Sequence, residues 1–149
     1  VQLLNKIILS EENILFFEKT NRNQIIQSLV ETISDKIGGF NSLIVEKVLE
    51  REKIVSTAIG KAIAIPHARV PLLENFALAI GICKDGVEWE TLDGEDVKII
   101  CLVAGPEDKA SQYLSYLSSI TCLLNDEEIR LSILNQQDKK KIVNIFVNC

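Results

Sequence analysis

The chain has 149 residues, of which 47% are hydrophobic and 25% charged, with a formal net charge of −5. That is the profile of one ordinary domain spanning 1–149, able to bury a core without staples. The acidic balance argues against nucleic acid as a partner, and apolar runs such as Ile99 to Ala104 are far too short to span a bilayer. Cys83, Cys101, Cys122 and Cys149 form no C-x-x-C pair and read as buried thiols of a protein in the reducing cytoplasm. With one histidine in the chain, no metal site is expected. No signal peptide is evident. The chain opens on Val1 and contains no methionine, which leaves room for residues upstream.

A short strand is expected over Ile14 to Phe17. Asn21 with Gln24 three residues on resembles a capping box. Ile25, Ile26, Leu29, Val30, Ile33 and Ile37 then recur at helical spacing, and Gly38-Gly39 ends that helix. A second helix should open at Asn41 and bury Leu43, Ile44, Val48 and Leu49. Next comes the extended run Ala62-Ile63-Ala64-Ile65, closed by Pro66. Residues 76–83 and 97–104 are β-rich and bounded by turn signals. The turns between them are Lys84-Asp85-Gly86, ahead of Val87-Glu88-Trp89, and Leu92-Asp93-Gly94. After Pro106, Leu114, Leu117, Ile120 and Leu124 form one helical stripe. Asn125 with Glu128 reads as a second capping box opening a helix over Ile129 to Leu134. Asp138 can cap a last helix holding Ile142, Val143 and Phe146. Helices first, strands in the middle and helices last make an α/β sandwich, with helices covering a small sheet.

The residue types that carry chemistry gather near His67. It follows an apolar run and a proline, so the pattern places it on a loop just past a strand end, held by the scaffold yet accessible. A neutral imidazole is a usable nucleophile at physiological pH, attacking through one nitrogen while the other is held by a hydrogen bond. Arg69 lies two residues on, and Arg51 lies at the end of the second helix. Guanidinium forks suit a phosphoryl group because they donate in pairs. The local pattern by itself gives an α/β domain with a candidate histidine nucleophile.

Arg51-Glu52, Ser56-Thr57, Gly60 and Ala64-Ile65-Pro66-His67, in that order and spacing, resemble the signature of the fructose/mannitol class of phosphotransferase-system enzyme IIA domains. The likeness continues through Val87-Glu88-Trp89, Leu92-Asp93-Gly94, Val97 and Pro106. It is nearest to the nitrogen-regulatory branch. The resemblance implies an α/β fold with a small mixed central sheet flanked by helices. It implies a phosphohistidine at His67, Arg51 assisting beside the phosphate, and support from Arg69, Ser56 and Thr57. The implied donor is an HPr-type phosphocarrier protein, with a IIB component or regulatory target proteins downstream. The implied chemistry needs no cofactor or metal. A regulatory binding module with slow or vestigial phosphorylation, and a sugar-specific IIA transport component, are the alternative readings.

Three positions depart from the family pattern. Tyr113 stands where a second histidine is usual; its hydroxyl can support the phosphate by donating a hydrogen bond but cannot become a cation at neutral pH, which implies a weaker hold on the phosphoryl group. Its competing role is to pack on the apolar stripe with Leu117. Ala62 and Ala68 stand where glycines are usual, and a methyl group at either could restrict φ or partner approach.

Overall fold

The computed structural model describes Ile7 and residues 9–148. A 3-10 turn at Glu11–Asn13 leads into β1 (Ile14–Phe16), α1 (Arg22–Thr32) and α2 (Asn41–Ile54). Then come β2 (Ala58–Gly60), β3 (Ile63–Ala64), β4 (His67–Val70), β5 (Ala77–Val87) and β6 (Val97–Pro106). The chain closes with α3 (Ala110–Leu124), α4 (Glu127–Leu134) and α5 (Lys139–Val147). The six strands form one mixed sheet in the order β1-β5-β6-β3-β2, with β4 also paired to β6. β5 and β6 are antiparallel, whereas β1 runs parallel to β5, and β3 and β4 run parallel to β6.

Side-chain alternation along the two long strands divides the interior into two cores. Ala77, Ala79 and Cys83 of β5, with Ile100, Leu102 and Ala104 of β6, face α1 and α2. Leu78, Ile80 and Ile82, with Ile99, Cys101 and Val103, face α3, α4 and α5. The sheet is therefore covered on both faces, which explains why its central strands read as continuous apolar runs.

β3 and β4 are one strand in two pieces. Ile63 lies opposite Ile99, Ala64 opposite Ile100, His67 opposite Val103 and Val70 opposite Pro106, so the register carries through Ile65-Pro66. Pro66 has no N–H to give the ladder, but its carbonyl accepts from Val103 N at 3.0 Å. His67 thus opens a strand segment and does not sit on a loop beyond one.

Other boundaries also move. α1 ends at Thr32 because the Thr32 carbonyl accepts instead from the side-chain amide of buried Asn13, at 3.0 Å. Ile33 and Ile37 continue in turns yet stay buried. The cap of α4 is Asp126, which accepts from the N–H groups of Glu128 and Ile129; Asn125 ends α3. The buried face of α3 carries Tyr113, Tyr116, Ile120, Leu123 and Leu124, while Leu114 is 61% exposed. Ile120 and Leu124 of the expected stripe are buried and Leu117 is partly buried against the core, whereas at the N-terminal end Tyr113 and Tyr116 take the packed positions and Leu114 turns outward. β5 runs through Lys84-Asp85-Gly86 with a register irregularity between Ile82 and Val87. Gly86 takes φ +80°, and a Cβ there would meet that of Asp96 at 2.8 Å. Cys83 and Cys101 are buried as expected, Cys122 is exposed, and Cys149 lies outside the described residues.

Candidate functional site

α2 packs over β4, and this contact builds the site. Lys47 and Arg51, four residues apart, share a helix face. With His67, Ala68 and Arg69 of β4 and Tyr113 of α3, they line an open cleft of about 240 Å³. Arg51 sits in the last turn of α2, where a cation is favoured by the helix dipole. Its Nη1 donates to the Val55 carbonyl at 2.7 Å, closing the helix end. Arg69 donates through Nη1 to the Glu107 carbonyl at 3.1 Å. Lys47 pairs with Glu50 at 3.4 Å on the surface.

The half-buried His67 has its Nδ1 2.6 Å from the Ile65 carbonyl. A carbonyl oxygen only accepts, so Nδ1 must carry the ring proton and donate. Nε2 then keeps its lone pair. Burial, the largest influence, pushes the imidazole pKa below the ordinary 6.5. The Ile65 carbonyl and, more weakly, the Glu52 carboxylate oppose that shift, while Arg51 and, more weakly still, Arg69 reinforce it. The neutral ring is therefore the stable form at neutral pH.

Tyr113 is brought to the site, as its sequence position implied. Its ring meets His67 edge-on at 5.6 Å between centroids, and stacks on Phe76 at 6.4 Å. The Arg69 guanidinium carbon lies 5.3 Å from its centroid. Burial drives the phenol pKa well up, against the pull of Arg69 and Arg51, so Tyr113 is a neutral group.

Ser56 and Thr57 are not in the cleft. The Ser56 hydroxyl donates to the Glu90 carbonyl and accepts from Ala58 N at 3.2 Å. Thr57 donates to buried Glu52 through its hydroxyl and, at 3.2 Å, its backbone N–H. Trp89 Nε1 donates to the same carboxylate at 3.3 Å. Glu52, next to Arg51, is thus a three-donor junction between α2, the approach to β2 and the segment after β5. The Arg51-Glu52 pair hinted at it, but the Trp89 contact spans 37 positions and no local pattern reveals it. Lys47 was missed as well; its only signal is a cation four residues before Arg51.

Of the two replaced glycines, Ala62 is the costly one. Lys61 and Ala62 take φ +56° and +66°, directly after Gly60 at +85°. The turn is held by Lys61 N donating to Asp93 Oδ2 at 2.9 Å. Ala68 lies in β4 without a positive φ and is buried in the α1/α2 core, while also lining the cleft.

Among the described residues, no helix is long and apolar enough to cross a membrane. Residues 7–149 match the family described as "Phosphoenolpyruvate-dependent sugar phosphotransferase system, EIIA 2". The chain belongs to this family. This EIIA domain is 37% identical, over 134 residues, to the fructose-specific EIIABC component of Bacillus subtilis; that covers 89% of the chain but 21% of the relative, about a fifth of its length. It is 29% identical over 140 residues to the nitrogen regulatory protein of Bradyrhizobium diazoefficiens, covering 93% of the chain and 92% of the relative. Among solved structures, nitrogen regulatory protein IIA-Ntr from Neisseria meningitidis superposes with a TM-score of 0.90 at 22% identity, over 97% of this chain and 99% of that one. A chain from the complex of enzyme IIAMTL and phosphorylated enzyme IIBMTL of Escherichia coli gives 0.81 at 17% identity, over 96% and 99%. The mixed sheet and its flanking helices in the EIIA domain agree with the fold expected from the sequence.

Proposed function

We propose that this EIIA domain is a phosphocarrier that accepts a phosphoryl group on Nε2 of His67. The fixed tautomer carries the reading: the Ile65 carbonyl holds the proton on Nδ1, leaving the Nε2 lone pair in a cleft lined by Arg51, Arg69 and Lys47. The Nε2 lone pair forms the new N–P bond as the P–N bond of a donor phosphohistidine breaks. The electron pair of the broken bond returns to the donor ring. If both rings keep the proton on their other nitrogen, no net proton moves.

Positioning and charge do most of the work in such a transfer. Arg51 is the main phosphate-stabilising group, and Arg69 adds a second cation. Ser56 and Thr57 support the site indirectly, by fixing the loop and Glu52. The donor is an HPr-type phosphocarrier in the cytoplasm. The acceptor is a IIB component or a regulatory target, and the likeness to nitrogen regulatory proteins supports regulation. Residues 1–149 act as a single domain in this reading, and the chemistry uses no cofactor.

The test is to incubate the protein with phosphoenolpyruvate, the general phosphotransferase enzyme and an HPr-type carrier. A single acid-labile, base-stable phosphoramidate is expected, absent in His67→Ala because the chain has no other histidine. No label, under conditions that label another EIIA domain, overturns the proposal.

A further inference from the structure

Tyr113 replaces an imidazole, a group that can become a cation, with a phenol that cannot at neutral pH. Its hydroxyl makes no hydrogen bond among the described residues, whereas its ring touches three partners. Phe76 stacks on it with an interplanar angle of 26°, and Phe76 is itself met edge-on by Tyr116 at 4.8 Å. This aromatic shelf fixes the ring between His67 and Arg69. Arg69 is exposed, and an exposed arginine loses side-chain entropy when held in one geometry. Here it has two supports: the Glu107 carbonyl takes one N–H, and the Tyr113 ring carries the guanidinium. A guanidinium has five donors, so most of the fork stays available for a phosphoryl oxygen pair.

We propose that the Tyr113 ring seats Arg69 as the second phosphate-binding cation of the His67 cleft, so that Tyr113 is a positioning residue that acts through its ring and not its hydroxyl. The proposal rests on the phosphohistidine reading of His67. It explains how the site can keep a cation on that side without the usual second histidine: the charge comes from β4, and α3 supplies the platform.

The experiment is a double-mutant cycle on the full chain with two readouts. The first is the lifetime of phospho-His67 and its rate of formation. Tyr113→Phe should stay within about twofold of wild type. Tyr113→Leu and Arg69→Gln should each shorten the lifetime or slow formation by about tenfold, and their combination should be no worse than Arg69→Gln alone. The second readout is the His67 titration followed by NMR, which needs no phosphorylation. Arg69→Gln should raise the His67 pKa. Tyr113→Leu should raise it in both backgrounds, because the ring also covers His67, but by less in the Arg69→Gln background, where there is no placed cation left to lose, while Tyr113→Phe leaves it unchanged. Damage from Tyr113→Phe equal to that from Tyr113→Leu, or independent multiplication of the Tyr113→Leu and Arg69→Gln effects, overturns the proposal. Absence of any phosphohistidine in wild type overturns the phosphocarrier reading instead, and the titration cycle still decides whether Tyr113 places Arg69. A circular dichroism melt of each variant separates loss of fold from loss of the pair.

Discussion

At the scale of single residues, His67 gathers opposing influences whose balance can be measured. Burial and the two arginines favour the neutral ring, whereas the Ile65 carbonyl and the Glu52 carboxylate favour the proton. Burial is the largest, so the net shift is downward from 6.5. The folded protein therefore binds this proton less readily than the unfolded chain. Stability from this group is present above pH 6.5 and lost as pH falls from there toward the folded pKa. With one histidine in the chain, its imidazole nitrogen resonances are unambiguous. Proton–nitrogen NMR should show the Nδ1–H tautomer at neutral pH and a midpoint below 6.5. The unfolding free energy of wild type minus that of His67→Gln should fall between about pH 8 and about pH 5.5. A midpoint at or above 6.5 would mean that water reaches the ring more freely than the cleft geometry implies. Of this residue's surroundings, the sequence exposes Arg51 and Arg69 as cations nearby in the chain. It hides the Ile65 hydrogen bond, because a backbone carbonyl has no sequence signature.

At the scale of elements, the turn between β2 and β3 stores strain. Three successive residues, Gly60, Lys61 and Ala62, have positive φ, and only the glycine adopts it without a Cβ clash. Left-handed backbone costs an L-residue roughly 1–2 kcal/mol, while glycine loses about 0.4–1 kcal/mol more chain entropy on folding. Strain is the larger effect, so Ala62→Gly should stabilise the protein by about 0.5–1 kcal/mol. Urea unfolding would read this as a higher midpoint at constant slope; a lower midpoint would show that the methyl packs usefully. The existence and kind of the long elements were legible because α1 and α2 carry helical periodicity and the runs in β5 and β6 are apolar, β-rich and bounded by turn signals. Their ends were less legible because a distant partner can set them or because two adjacent residues can both serve as the cap. Asn13 ends α1 by taking the Thr32 carbonyl, and Asp126, not Asn125, caps α4. On α3 the expected stripe holds at Ile120 and Leu124, but Tyr113 and Tyr116 take the packed positions nearer its start and Leu114 is exposed, because a tyrosine ring is apolar enough to compete with leucine for the core.

At the scale of the whole molecule, the two cores are coupled by the strands that separate them. Each of β5 and β6 sends alternate side chains into the α1/α2 core and the α3–α5 core. Losing either helical layer would therefore expose apolar side chains on strands the other layer still needs, at roughly 25 cal/mol per Å². The site straddles the same division. Arg51 arrives from one layer, Tyr113 from the other, and His67 from the sheet between them, so the cleft exists only when both layers are docked. This is also why a candidate site could be proposed from the sequence by resemblance but not assembled from it: its members come from elements whose proximity is a tertiary fact. Trp89 is the only tryptophan; it is buried in the α1/α2 core and bonded to Glu52. Its fluorescence reports that layer, while the helical circular dichroism signal comes from both. If the sheet transmits the coupling, the two signals should give superimposable denaturant transitions, as two-state unfolding requires. A dichroism phase without a matching change at Trp89 would show that α3–α5 detach first, taking Tyr113 away from His67 while Arg51 stays in place.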